Sequence, residues 1–101
     1  MQKSRSFNNE GDVKKAIKRL LTKHGWWNFM PKAGPYGVNG VPDFICCKAG
    51  RFLAIEAKFG YNKPKDLQQE RMEEIRAAGG IAVWVNELRL DLLDTLLERL
   101  N

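Results

Sequence analysis

The sequence has one histidine, His24, and two cysteines, which are adjacent at positions 46 and 47. These residues are too few, and too closely spaced, for a zinc site built from cysteine and histidine. Neighbouring strand residues point to opposite faces, so the two cysteines are poorly placed to form a disulfide with each other. No apolar run approaches the roughly 20 residues of a membrane span, and the N-terminal MQKSRSFNNE lacks the apolar stretch of a signal peptide. We therefore expect a cytoplasmic protein.

The length of 101 residues predicts a single domain over 1–101, with residues 1–7 as a short flexible lead. Hydrophobic residues make up 44% of the chain and charged residues 29%, which is ordinary for a globular domain. The formal net charge is +5. A basic excess suits a polyanionic partner, whose phosphates would receive most of the lysine contacts and convey little sequence information.

Hydrophobic periodicity predicts the order helix, three strands, helix, strand, helix. Asn8 or Asn9 caps the first helix, which Gly25 ends. The later segments are strands at 26–30, 43–48 and 51–59, a helix opened by Pro64 and running to about 78, a strand at 81–85, and a last helix that Asn86 caps. This order predicts an α/β fold with a mixed sheet flanked by helices, in which the crossover joins a parallel pair of strands. The leucine stripe of the last helix either packs on the sheet or forms part of a subunit interface.

Two short segments, Gly40–Phe44 and Ile55–Lys58, supply two carboxylates and one ammonium group. If Ala49 and Gly50 form a two-residue turn, Lys48 faces Arg51, and the antiparallel register places Asp43 opposite Glu56. Lys58 then shares a face with Glu56, because strand side chains alternate. A longer loop would keep this register, whereas a bulge would shift it.

Two carboxylates this close repel each other unless a cation lies between them. Magnesium prefers a few carboxylate oxygens and keeps water or phosphate oxygens in its other positions, so Asp43 and Glu56 predict a magnesium-dependent phosphodiesterase site. Lys58 would hold the attacking water or neutralise developing charge. The alternative for the Glu-Ala-Lys triplet is an ordinary surface salt bridge. Glu10 either points toward this sheet as a metal ligand or is a first-turn acid that favours the helix dipole.

The turn-rich segment at 31–40 is long for a small domain, and such loops are often functional. It offers Lys32, Tyr36 and glycine amides to a phosphate backbone, although it could equally be a plain connector. Lys63 and Lys65 follow Lys58 and are further candidates for DNA-phosphate contacts.

These residues resemble the PD-(D/E)xK nuclease superfamily and, within it, a stand-alone phage-type member of the virus-type replication-repair nuclease (VRR-NUC) family. The resemblance spans about Glu10 to Val85. Asp43 in Val-Pro-Asp-Phe matches the Pro-Asp element, and Glu56 and Lys58 match the acid-x-lysine element. Glu10 matches the acid of the first helix. Gln68 matches the glutamine of the following helix, with Gln69 as the adjacent alternative; Lys65 stands where family members often carry Ser or Thr.

The resemblance implies a restriction-endonuclease-like core of order αβββαβ(α) and an endonuclease that depends on Mg²⁺, with Mn²⁺ as a substitute. Asp43 and Glu56 would bind the metal, helped by Glu10 and by the backbone carbonyl of Ala57. Lys58 would assist the attacking water. Gln68 would position the lysine or the substrate.

The resemblance further implies a homodimer that acts on branched DNA, especially four-way (Holliday) junctions, in phage replication or repair in the host cytoplasm. Neither a nucleotide cofactor nor a membrane is expected. Two alternatives stay open. The protein could be a nuclease for flaps, ends or ordinary duplex, or a basic module that binds DNA and has lost catalysis. The intact set of Asp43, Glu56 and Lys58 argues against the last alternative.

Overall fold

The computed structural model describes residues 6–32 and 37–101, and it confirms the predicted α/β class and element order. The elements are α1 (Glu10–Lys23), β1 (Trp27–Phe29), β2 (Phe44–Lys48), β3 (Arg51–Ala57), α2 (Asp66–Ala77), β4 (Ile81–Val85) and α3 (Leu90–Arg99). The strands form one sheet in the order β1-β2-β3-β4. The first two pairings are antiparallel, and β3 and β4 are parallel, so the sheet is mixed as predicted.

Local signals in the sequence fix both ends of α1. Asn9 is the N-cap, and its side-chain oxygen accepts from the backbone N–H of Asp12 at 2.9 Å. At the other end Gly25 has φ +76, and the N–H of Trp26 donates to the carbonyl of Leu21 at 2.9 Å. This is a Schellman ending, which a residue in the left-handed region makes possible. Helix α1 therefore begins and ends close to where the sequence predicts.

The turn between β2 and β3 has the predicted two-residue length. Lys48 pairs with Arg51, and both turn residues have positive φ, 51° at Ala49 and 80° at Gly50. Positive φ at both positions is the hallmark of the type I′ hairpin turn, whose twist matches that of the strands. The strand register deduced from the sequence is therefore confirmed.

The sheet separates two apolar layers. One face packs against α1 and α3 and forms the larger core, which includes Ile17, Leu21, Phe44, Ile55 and Leu97 among its fully buried side chains. The other face carries α2, where Met72 packs against Ala54 and Ala82. Within the described ranges, every helix is too short or too polar to cross a bilayer.

Two predicted helix starts are wrong. Helix α2 begins at Asp66 rather than at Pro64, because Lys65 is its N-cap and has an extended backbone with φ −71 and ψ 165. Helix α3 begins at Leu90, and Asn86 does not cap it. Instead, the Asn86 side chain accepts from the N–H of Leu88 at 3.0 Å, which closes a local turn before the helix.

The remaining expectations concern isolated residues. Cys46 is buried and Cys47 exposed, and both are free, as alternation predicts. His24 is a buried end-of-helix residue whose Nε2 lies 2.6 Å from an oxygen of Asp94 in α3. Of the predicted flexible lead, residues 6 and 7 are described, and Phe7 packs against the main core.

Candidate active site

Asp43 lies immediately before β2, at the end of the sheet where β3 leaves. Phe44 pairs with Ile55, so one further step of the same register sets Asp43 opposite Glu56. The Asp43 Oδ2 atom accepts the backbone N–H of Ala57 at 2.8 Å. This hydrogen bond fixes the aspartate to β3 beside Glu56, which is the placement that the sequence predicts.

Glu56 and Lys58 form a buried ion pair. Glu56 is 2% exposed and Lys58 8% exposed, and Oε2 of the glutamate lies 3.3 Å from Nζ of the lysine. The surface salt bridge considered from the sequence is therefore not what the fold contains, because both groups have left the solvent. The other carboxylate oxygen, Glu56 Oε1, is buried without a hydrogen-bond partner in the described structure. A buried polar atom left unsatisfied costs free energy, so it marks a place where a ligand would be stabilising.

Burial and, after it, the neighbouring carboxylate of Asp43 raise the pKa of Glu56, which is about 7 once all its neighbours act together. Lys58 opposes both effects by charge and by hydrogen bonding, and Glu10 adds a smaller repulsion. Burial and a like charge both disfavour the ionised form, whereas a neighbouring cation favours it. Glu56 is thus held near the midpoint of its titration at neutral pH, as is common for groups in functional sites.

Glu10 begins α1 and reaches this site through Lys14. The Lys14 ammonium lies 3.4 Å from Glu10 Oε2 and 3.6 Å from Asp43 Oδ1. The first helix therefore brings one acid and one cation to the end of the sheet that holds Asp43 and Glu56. Both interpretations of Glu10 have structural support, since it occupies the first turn of α1 and also lies near the paired carboxylates.

The donor groups suit a hard divalent cation, although they are not arranged around one. In residues 6–32 and 37–101, no three Cys, His, Asp or Glu side chains come together as a ready-made metal cluster. Asp43 and Glu56 nevertheless supply two neighbouring carboxylates, and Glu56 Oε1 has no hydrogen-bond partner among the described residues. Magnesium is commonly coordinated by one or two protein carboxylates, with water or phosphate oxygens in its other positions. Asp43, Glu56 and the carbonyl of Ala57 are the groups that would hold it, with Glu10 as a further acid beside them.

Gln68 has a local structural role. Its side-chain oxygen accepts the backbone N–H of Lys65 at 2.8 Å, which satisfies one free donor at the start of α2. The Gln69 side chain donates to the carbonyl of Pro64 at 3.0 Å. In the part of the chain that is described, neither glutamine hydrogen-bonds to Lys58. The positioning of Lys58 or substrate by Gln68 thus remains a prediction.

Of the proposed DNA-contacting residues, the three lysines lie within the described ranges, where none of them forms a salt bridge with the acids of the site. Lys32, Lys63 and Lys65 are exposed, and Lys65 is the N-cap of α2. Their exposure makes them accessible to a phosphate backbone. Their contact with DNA remains a prediction. Tyr36 lies outside the described residues.

Sequence reasoning missed the groups that support the site. Lys14 received no role from the sequence, although its spacing of four from Glu10 was an available signal. The segment after Lys58 is held by Asn86 and Glu87. The carboxylate of Glu87 accepts the N–H of Gly60 at 3.1 Å, and Asn86 donates to the Gly60 carbonyl at 3.2 Å. No periodicity reveals these contacts, because they join residues far apart in the sequence.

Comparison with solved structures identifies the architecture. One structure described as "VRR_NUC domain" superposes with a TM-score of 0.69 at 24% identity, covering 91% of this chain and 97% of that chain. Another, "VRR_NUC domain protein", gives a TM-score of 0.70 at 22% identity, covering 92% of this chain and 88% of that chain. The chain has the VRR_NUC fold. No family model and no curated protein sequence matches it. The resemblance of the VRR-NUC motifs and the likeness of fold thus agree across most of the chain.

Proposed function

We propose that this protein is a Mg²⁺-dependent endodeoxyribonuclease, with Mn²⁺ as a substitute, that acts as a homodimer on branched DNA such as four-way (Holliday) junctions. The observation that carries the proposal is the convergence of Asp43, Glu56 and Lys58 at one end of a VRR_NUC-type sheet. One oxygen of Glu56 is buried there and has no partner in the part of the chain that is described. A cation bound beside both carboxylates would stabilise this oxygen and relieve their mutual repulsion.

Each side chain has a role that follows from its surroundings. Asp43 is oriented by the Ala57 N–H, so its carboxylate stays directed at the same end of the sheet. Glu56 must ionise to act as a ligand, which neutral pH and a neighbouring cation permit. A bound divalent ion would supply an activated water and charge stabilisation on the phosphate. Lys58, which is held next to Glu56, would orient that water or stabilise the developing negative charge.

The basic charge and the small size support the choice of substrate. A net charge of +5 favours a polyanion, and exposed lysines at 32, 63 and 65 are available for phosphate contacts. One short domain has little room for a separate sequence-reading module, which favours recognition of DNA shape. Leu88 and Leu92 are 79% and 69% exposed, which leaves apolar surface near and on α3 for a subunit contact.

The test is cleavage of a labelled four-way junction beside a matched linear duplex and a flap, in Mg²⁺. Glu56→Gln removes the ionisable ligand while it keeps the shape of the side chain. Glu73→Gln is the matched control, because Glu73 is an exposed acid of α2 that pairs with Arg76. We expect paired nicking of the junction by the wild type and the control, and loss of cleavage with retained DNA binding in Glu56→Gln.

Other outcomes separate the alternatives. Equal cleavage of all three substrates would indicate a general or flap nuclease. Tight binding without cleavage in Mg²⁺ or Mn²⁺ would indicate a non-catalytic DNA-binding module. Full activity of Glu56→Gln would refute the assigned site. A monomeric mass by light scattering, with and without junction DNA, would refute the homodimer.

A further inference from the structure

Lys14 lies between two carboxylates of the proposed metal site. Its Nζ atom is 3.4 Å from Glu10 Oε2 and 3.6 Å from Asp43 Oδ1. The contact with Glu10 is an i,i+4 pair within α1, which is common on helix surfaces. The contact with Asp43 is different, because it joins α1 to the residue that precedes β2. One ammonium group therefore balances two acids that the fold brings together from separate elements.

In the described structure the acids form no ready-made metal cluster, and lysine ammonium groups lie beside them. Carboxylates converge stably when a cation lies between them. Lys14 supplies that cation on one side of Asp43, and Lys58 supplies another at Glu56, 3.3 Å from Oε2. The two lysines differ in accessibility: the side chain of Lys14 is 31% exposed, whereas that of Lys58 is 10% exposed. Lys14 can therefore turn toward solvent with less rearrangement than Lys58.

We propose that Lys14 is a placeholder cation, which holds Glu10 and Asp43 together in the metal-free protein and is displaced when a divalent ion binds. This inference rests on the metal site of the proposed function. An ammonium group and a divalent ion repel each other strongly at contact distance, so they do not share the oxygens of the same two acids. The flexible four-carbon stem of lysine allows the ammonium to move away while the helix stays in place. After displacement, Lys14 is next to the site and available to a phosphate.

The test measures Mn²⁺ binding to the full chain by titration calorimetry at low ionic strength, without DNA. Lys14→Met removes the charge and keeps the length of the side chain. Lys15→Met is the matched control, since Lys15 is the next residue of α1 and is exposed. This substitution removes the same net charge as Lys14→Met. We expect Lys14→Met to bind Mn²⁺ about tenfold more tightly than wild type or better, and Lys15→Met to stay within about twofold, because exposed charges are screened. Lys14→Arg keeps a cation and should bind like the wild type.

A second measurement uses thermal unfolding and does not depend on catalysis. In EDTA, Lys14→Met should melt below wild type and Lys15→Met, because Glu10 and Asp43 then repel each other without a cation. Saturating Mn²⁺ should raise the melting temperature of Lys14→Met more than that of wild type, since tighter binding to the folded state gives a larger stabilisation. If Lys14→Met folds poorly, both measurements are made on Lys14→Gln instead.

The outcomes distinguish this inference from the proposed function. If wild type binds Mn²⁺ and Lys14→Met binds no more tightly than Lys15→Met, the placeholder is refuted and the metal site stands. Weaker binding by Lys14→Met also refutes it, because the lysine would then assist the ion. If no variant binds Mn²⁺, the metal site is refuted, and the placeholder and the proposed mechanism fail with it.

Discussion

Glu56 should make the stability of the metal-free protein depend on pH. Its pKa in the folded protein is raised to about 7 from an ordinary value of 4.5, chiefly by burial. Between these values the folded protein binds a proton that the unfolded chain releases. The free energy of unfolding therefore falls as the pH rises through this window, and it levels off above the folded pKa.

The expected size follows from the same two pKa values. Integrated from about pH 5 to about pH 8, the proton linkage of Glu56 removes about 2 to 3 kcal/mol from the free energy of unfolding. This is a substantial part of the stability of a small domain, which is commonly about 5 to 15 kcal/mol. The glutamine in Glu56→Gln cannot ionise, so the free energy of unfolding of this variant should not show this fall. The variant should therefore become more stable relative to wild type as the pH rises.

The assay is denaturant unfolding in EDTA at a series of pH values, for wild type and Glu56→Gln. Subtracting the two curves cancels titrating groups remote from Glu56, such as the Asp94 carboxylate, whose pKa is lowered by its hydrogen bond to His24. Glu73→Gln is again the control, and its curve should run parallel to wild type. Saturating Mg²⁺ should reduce the loss, because the ion favours the carboxylate form. A wild-type minus Glu56→Gln difference that is independent of pH in EDTA would refute the assigned environment of Glu56.

Two further predictions concern the backbone around the site. Ala49→Asn should raise the free energy of unfolding by about 0.5 to 1 kcal/mol, because Ala49 has φ 51 in a type I′ turn where Asn-Gly is preferred; a lower denaturation midpoint would contradict this. Gly40→Ala should lower the free energy of unfolding by about 1 to 3 kcal/mol, because φ is +78 and the new Cβ would lie 2.7 Å from Cγ of Leu67. Cleavage should also fall, because Gly40 lies in the segment that leads to Asp43. Normal stability and normal cleavage in Gly40→Ala would show that the chain before Asp43 need not keep its contact with α2.

The predictable parts of the fold are the elements whose ends carry turn-forming residues in the sequence. Strand β4 runs from Ile81 to Val85 as expected, because two glycines precede it and Asn86 follows it. The β2–β3 register followed from the two-residue turn alone, and the pairing of Asp43 with Glu56 followed from that register. The helix starts at α2 and α3 were misjudged because their caps lack the usual signals. Lys65 has no acceptor to offer, and Arg89 makes no capping hydrogen bond through its side chain.

The burial of the site was less predictable than its residues. A Glu-Ala-Lys triplet is compatible with an exposed strand, and the sequence alone does not show that Glu56 becomes 2% exposed. That outcome depends on the neighbouring strand, where Trp84 is the register partner of Glu56, and on the segment after Lys58. Asn86 and Glu87 hold that segment through Gly60, and such contacts follow only from the assembled sheet.

The charges at the end of the sheet are nearly balanced without a metal. Glu10, Asp43 and Glu56 supply at most three negative charges, and Lys14 and Lys58 supply two positive ones. The raised pKa of Glu56 reduces this excess at neutral pH, because the most deeply buried of the three acids is then partly protonated. A protein that used these acids for stability alone would gain by replacing Glu56 with an apolar residue, since buried ion pairs seldom repay their desolvation. In the proposed site, a divalent ion would replace the proton on Glu56 and the ammonium of Lys14, while Lys58 would stay in place for the reaction.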